Sequence, residues 1–351
     1  MRDVAIVGTA QRPSQVHTNL TSVELILPVI DEVVAKVGLD RSEIGFWCHG
    51  SCDYMSGQPF SFVAAVDAIG AWPPIVESHV EADGALALYE AWVKIQTGEC
   101  DVAVVFSNGK TTSGPIDRIL TLQTDPYVVA PLWPGFDALS ALQARACLDA
   151  GVVTERAMAE VAARSLADAK NNAVAHVKGD HSVDDLLARP YTVAPLRAHD
   201  CGVPVDGANA VVLAAGDAAR RLAKRPAWIK GFDHRIDTQR LGARSLTESN
   251  SARVAAERAG VGRDKVDVAE LHAPYTHQEL LLRSAMGLDG AKTRINPSGG
   301  ALVANPAMAA GLARFAEAAE AIFGGGADRA VAHCTSGPCL QQNLVCVMEG
   351  E

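Results

Sequence analysis

The stretch "VESHVEADGALALYEAW", Val76–Trp92, decides how the rest of the chain is read. It passes from a short strand through a turn closed by Gly84 into a helix rich in Ala and Leu, the strand–turn–helix unit of a layered α/β protein. The turn carries His79, Glu81 and Asp83, and the nearest cysteine, Cys100, lies well past it. Acids at a helix start also stabilise its N-terminus and Asp is a good N-cap, so Asp83 reads as a cap or as a functional carboxylate.

Working outward, the chain is written twice. "GLDRSEIGF" (Gly38–Phe46) resembles "GVGRDKVDV" (Gly260–Val268), and "VKIQTGECDVAVV" (Val93–Val105) matches "EAIFGGGADRAVA" (Glu320–Ala332) at nearly the same offset. Helices expected at Val23–Val37 and Gly84–Thr97 bracket strands at Gly45–His49 and Val102–Ser107. Helices at Ser251–Ala259 and Ala309–Phe323 do the same for strands at Val266–Leu271 and Ala330–His333. Gly38, Gly98 and Gly325 fall where helix C-caps belong. This predicts a first half over 1–225 and a second over 226–351. An insertion at about 110–198, holding helices at Ala138–Ala150 and Glu155–Asn172, reads as a cap or substrate-binding segment.

A chain of 351 residues with 48% hydrophobic residues, 30 Gly and 17 Pro is an ordinary globular composition. The net charge of −10 argues against nucleic acid, which needs a basic face. No apolar run approaches the ~20 residues that span a bilayer. The opening "MRDVAIVGTAQRP" reads as a strand and loop rather than a signal peptide, and a cytoplasmic location is expected. The eight cysteines include no CxxC pair, so neither a disulfide framework nor a metal site is expected. The adjacent His199, Asp200 and Cys201 read as a structural turn, because neighbouring residues seldom ligate one ion.

Four segments resemble the thiolase superfamily over essentially the whole chain. "DGANAVVLA" (Asp206–Ala214) is similar to the strand that closes a thiolase's first half. "AELHAPYTHQEL" (Ala269–Leu280) is similar to the segment carrying NEAF or, in sterol-carrier-protein-X thiolases, HDCF, with His272 on the His. "NPSGGALVANPAMAAG" (Asn296–Gly311) resembles the NxxGGAxxxGHPxGxxG run, one residue shorter before the Pro. "HCTSGP" (His333–Pro338) resembles the CxGG loop, with Cys334 at the base position and Ser336 in place of the first Gly. In detail ("IGFWCHGSCDY", "TSGPCLQQNLVCVMEG") the chain is most similar to the bacterial lipid-transfer-protein branch, associated with sterol side-chain catabolism. The resemblance implies an α/β thiolase fold: duplicated βαβαβ halves in a five-layered αβαβα arrangement, with a cap or loop insertion in the first half.

The departures are chemical. The thiolase nucleophile falls on Glu81, its following Ser on Asp83, and the His of GHP on Asn305. A thiolase needs a thiolate and a His to activate it, so acyl-cysteine chemistry is not expected. A retro-aldol cleavage of a β-hydroxyacyl-CoA needs only a base, donors to an enolate oxygen and an acid. His272 and Asn305 are candidate donors, and Tyr275, His277, Glu81, Asp83 and Cys334 candidate proton carriers. Each also has a plainer reading, as packing or capping residue or buried thiol. Ser298, Gly299 and Gly300, and Ser336 and Gly337, form loops of close backbone approach that fit pantetheine passage or a tight interface equally. No cofactor is expected beyond the coenzyme A carried by the substrate. The resemblance further implies a steroid- or sterol-derived acyl-CoA substrate and a homodimer or a heteromer with an OB-fold, zinc-ribbon acyl-CoA-binding protein. An acyltransferase or a non-catalytic scaffold subunit are the alternatives.

Overall fold

The computed structural model describes all residues except 1, 14, 17–18, 58 and 290–291. Its strands are β1 (Val4–Gln11), β2 (Phe46–Ser51), β3 (Glu77–Glu81), β4 (Val102–Lys110), β5 (Tyr191–Val193) and β6 (Leu196–Arg197). They continue as β7 (Asp206–Ala215), β8 (Ala227–Ile236), β9 (Val268–Leu271), β10 (Arg294–Ile295), β11 (Arg329–Ser336) and β12 (Gln342–Glu349). The helices begin with α1 (Ser22–Val37), α2 (Asp53–Ser56), α3 (Phe62–Ile69), α4 (Gly84–Gln96), α5 (Ile116–Leu122) and α6 (Phe136–Asp149). After them come α7 (Glu155–Asp168), α8 (Val183–Leu187), α9 (Gly216–Leu222), α10 (Asn250–Ala259), α11 (Thr276–Ala285) and α12 (Ala310–Phe323).

The strand order exposes the duplication. One set runs β3-β2-β4-β7-β1 and the other β10-β9-β11-β12-β8, the same order with the same directions. In each, three strands are parallel and the fourth is antiparallel to its two neighbours. The sets meet only at β1 and β8, through the pairs Ala5↔Trp228 and Ile6↔Ala227. β4 and β7 are almost wholly buried and read as apolar runs because helices cover both faces.

Between the sets lie α4 and α12. Ala85, Ala87, Leu88, Ala91 and Ile95 of α4 share one core with Leu312, Phe315, Ala316, Ala319 and Ile322 of α12 and with inward residues of both sheets. Each large aliphatic or aromatic side chain among them contributes about 2 kcal/mol by leaving water. The outer face of the first sheet is covered by α1, α3 and α9, and that of the second by α10 and α11 with α6. The result is five layers, helix–sheet–helix–sheet–helix. Small residues set the tight spacing in the middle. A Cβ on Gly84 would lie 2.5 Å from the Ser107 side chain and 3.0 Å from Leu312 Cδ2.

Element boundaries differ modestly from expectation. The helix expected to reach Asn172 ends as α-helix at Asp168, then tightens into a 3₁₀ turn at Ala169–Asn171. The long strand β8 carries no alternating pattern and was not anticipated. Its residues beyond Trp228 are only partly buried, so hydrophobicity does not mark it. The segment after β4 holds α5 to α8 and the hairpin β5–β6, with α6 and α7 packed over the second half.

The middle layer is pinned by one carboxylate. Asp83 caps α4 by accepting from Ala85 N at 2.9 Å, and the same side chain accepts from Gly311 N and Leu312 N, each at 2.9 Å, at the start of α12. Both helices therefore begin at one buried anion, which their aligned dipoles favour. Asp83→Ala should lower unfolding stability by about 2–4 kcal/mol, since it strands three buried N–H donors. Asp83→Asn, which keeps an acceptor, should cost clearly less; urea denaturation of the three proteins measures the difference.

Candidate active site

Where the two central helices begin, the sheets open into a cavity of about 190 Å³. Its floor holds Asp83, His272, Asn305 and Thr335, and its rim Ser336, Gly337 and Pro338. Ile116, Leu120 and Phe136 of the inserted segment form an apolar wall, and Tyr275 and Asp137 stand on another side.

The parallel ladder between β9 and β11 assembles the floor. It pairs Leu271 with His333, so the next residues, His272 just past the end of β9 and Cys334 within β11, lie side by side. His272 Nδ1 lies 3.7 Å from Cys334 Sγ. Burial, and then the Arg314 charge, push the imidazole down to about 4, so it is neutral at ordinary pH; a hydrogen bond from the ring to the Asn305 side chain works the other way. Burial and the neighbouring Asp83 hold the Cys334 thiol well above its usual range. It is a protonated thiol, a poor nucleophile and a competent proton donor. Burial also raises Asp83 against the pull of its three backbone donors.

Tyr275 donates from its hydroxyl to Asp137 Oδ1 at 2.6 Å. Burial and the Asp137 carboxylate raise the phenol well above its normal value, so Tyr275 stays protonated. Asp137, at the start of α6, was missed by sequence reasoning. It is one acid among many in an insertion without a motif, and only the fold carries it to Tyr275. Phe136, beside it, lines the same cavity.

Three expectations are corrected by the geometry. Glu81 does not face the cavity: at the end of β3 its side chain turns to accept from Asp53 N at 2.8 Å, and it remains half-exposed. His277 points into the core behind the site, next to Gln143 Oε1 at 3.3 Å, and burial drives it down to about 3. The loop Ser298–Gly300 does not line the cavity. Ser298 donates to Glu270 Oε2 at 2.7 Å and its N–H to Glu270 Oε1 at 3.0 Å, in a buried pair with Arg314, 2.7 Å from Glu270. A Cβ on Gly299 would meet Ala169 at 2.9 Å, so the turn after α7 closes that passage. His272, Tyr275, Asp83, Asn305, Ser336 and Gly337 do share the cavity, with Cys334 against its floor.

No protein-family model matches the chain. An acetyl-CoA acetyltransferase of Methanothermobacter thermautotrophicus is 25% identical over 90% of this chain and 90% of its own length. Sterol carrier protein 2 of Gallus gallus is 25% identical over 72% of this chain and 54% of its own. Among solved structures, the Ltp2-ChsH2(DUF35) aldolase superposes with a TM-score of 0.82 at 18% identity, covering 99% of this chain and 98% of the other. The chain has the thiolase fold. The Bacillus anthracis acetyl-CoA acetyltransferase superposes almost as well, with a TM-score of 0.81 at 17% identity over 100% and 99% of the two chains. The fold is thus common to aldolase and acetyltransferase neighbours. Among the described residues no helix is long and apolar enough to cross a membrane.

The floor of this thiolase-fold site is packed without slack. A Cβ on Gly311 would lie 2.3 Å from Cys334 Sγ and 2.5 Å from Asp83 Oδ1. Gly311→Ala should therefore cost about 2 kcal/mol or more of stability. Adding Cys334→Ala should recover part of that loss, a coupling that a double-mutant cycle in chemical denaturation reads directly.

Proposed function

We propose that this protein is a carbon–carbon lyase that cleaves a β-hydroxyacyl-CoA by a retro-aldol step, without ever carrying an acyl group. The observation that carries this reading is the cavity's chemistry. It offers a hydrogen-bonded phenol–carboxylate pair, a neutral imidazole beside an amide, and a thiol held in its protonated form, but no activated nucleophile.

Tyr275 accepts the proton of the substrate's β-hydroxyl as its own passes to Asp137, so no free phenolate is needed. The electrons of the O–H bond form the new carbonyl, the Cα–Cβ bond breaks, and its pair moves onto the thioester oxygen as an enolate. The Asn305 amide N–H donates to that oxygen, with the amide oriented by the His272 ring, in a pocket at which two helix N-termini also point. The Cys334 thiol then protonates Cα. The proton held by the Tyr275–Asp137 pair returns through water to Cys334, leaving atoms and charge balanced.

The substrate is a sterol- or steroid-derived acyl-CoA, a class supported by likeness to sterol carrier protein 2 and to the aldolase neighbour. The cavity of about 190 Å³ accommodates the reacting carbons and thioester, while a ring system lies at the mouth against Leu120 and Phe136. The neighbour's name joins an Ltp2 component to a ChsH2(DUF35) component, which motivates an OB-fold, zinc-ribbon partner here, around a homodimer or heteromer. The acyltransferase reading is motivated by the acetyltransferase relatives, and it requires Cys334 to become a thiolate against both burial and Asp83.

The test is an assay of the purified chain, alone and with a candidate partner, on a β-hydroxyacyl-CoA bearing a branched side chain. Cleavage to a ketone or aldehyde and a shortened acyl-CoA is expected. Tyr275→Phe and Asp137→Asn should each lower kcat by about 100-fold or more, the usual weight of general base catalysis. Undiminished cleavage by both variants would sink the mechanism. No cleavage under any pairing would leave the scaffold reading, and an acyl adduct on Cys334 by mass spectrometry would establish the transferase instead.

A further inference from the structure

At the floor of the cavity, three potential metal donors from three distant segments converge. A carboxylate oxygen of Asp83, a ring nitrogen of His272 and Cys334 Sγ all lie within 4.8 Å of one another, and all three residues are buried. They come from the turn before α4, the end of β9 and the body of β11, so no short-range spacing in the sequence signals them.

From this convergence we infer that the floor of the cavity is a binding site for one borderline-soft divalent cation, of the zinc class, with Asp83, His272 and Cys334 as its ligands. The donor set matches that class: thiolate, imidazole and carboxylate together select zinc over magnesium or calcium, which take oxygen ligands. Bond lengths of about 2.0–2.3 Å place the ligand atoms of a tetrahedral ion roughly 3.3–3.8 Å apart, so only a modest contraction of the cluster is needed. A thiolate and a carboxylate bring two negative charges and balance the ion.

Each donor has capacity to spare. Asp83 Oδ1 accepts two backbone N–H groups and Oδ2 one, and its side-chain partner is the Cys334 thiol, whose proton leaves when a metal binds. His272 presents Nδ1 towards the sulfur and is neutral, the form that ligates. Its ring is also hydrogen-bonded to the Asn305 side chain, the outer contact that fixes a ligating imidazole. Gly311, with no Cβ, lets its backbone pack directly against Sγ and the carboxylate, which holds the two donors close together. The fourth position faces the cavity, where water or a thioester oxygen can enter. This is the arrangement of three protein ligands and an open site found in reactive rather than structural zinc centres. Arg314 opposes the ion, but its charge is largely taken up by Glu270 at 2.7 Å.

The inference does not rest on the retro-aldol reading and competes with it for Cys334, because a bound ion displaces the thiol proton that the reading spends on Cα; its test needs no substrate. The full-length chain is stripped with a chelator, dialysed and titrated with Co²⁺ alone, with binding followed by absorption. One equivalent should bind and show a sulfur-to-cobalt charge-transfer band with the intense d–d bands of a four-coordinate ion, and Zn²⁺ should displace it. Cys334→Ser should abolish the charge-transfer band. Cys346→Ser, a buried thiol on β12, should retain it. His272→Ala should weaken binding at least about tenfold, in line with the loss of a ligand. Circular dichroism confirms that each variant is folded, and His272→Ala serves if Cys334→Ser is not. Failure of the wild-type chain to take up a stoichiometric ion overturns the inference, as does a charge-transfer band that survives Cys334→Ser.

Discussion

The structure depends on a single buried carboxylate that serves two helices at once. Asp83 satisfies the first turns of α4 and α12, which come from opposite halves and form the whole middle layer. The strand sets of the two halves pair at Ala5↔Trp228 and Ile6↔Ala227, and the middle layer joins the halves through one shared core, with α6 and α7 adding contacts on the outside. Removing an anion from water is costly, and here the cost is offset by three N–H donors and two aligned dipoles rather than by a cation. The same geometry places the positive ends of two helices at the bottom of a cavity, before any catalytic side chain is considered.

That setting governs the chemistry of its neighbours. Buried, with the Asp83 carboxyl beside it, Cys334 keeps its proton, while His272, buried near Arg314, loses any tendency to take one. A thiolase frame has thereby become a site of neutral donors. The carboxylate sits on the turn where the family's nucleophile would be found, and the nucleophile itself has no substitute. In the proposed reading, the charge pattern, more than any single missing residue, is what weighs against acyl transfer.

Much of the architecture was legible because it is carried by local signals repeated along the chain. The paired segments after Gly38 and Gly260, and those around Gly98 and Gly325, mark equivalent elements, and Gly98 and Gly325 adopt nearly the same left-handed conformation, φ 81° and 70°. His272, Tyr275, Asn305 and Cys334 were readable because they lie in motif-bearing strand ends. Glu81 was misplaced by one structural step. Counting residues put it at the nucleophile's position, but at the end of β3 its side chain turns to the Asp53 N–H, and Asp83 reaches the site instead. His277 looked available only because a sequence does not show which side of α11 is buried. Asp137 was invisible because its role exists solely through a contact with a residue 138 positions away. The loop at Ser298–Gly300 kept its glycines for packing against the turn after α7, a reason that pattern matching cannot tell from ligand access.

The first turn of α6 holds Phe136 and Asp137 side by side, one part of the greasy wall and the other holding the Tyr275 hydroxyl. Recognition and reactivity are therefore wired through adjacent links of one peptide. A lineage that remodelled this segment to admit a different side chain would disturb the tyrosine's partner in the same stroke. Diversification of such a site should consequently proceed by edits to α5 and the cavity mouth, leaving the start of α6 as the part that evolution cannot freely retouch.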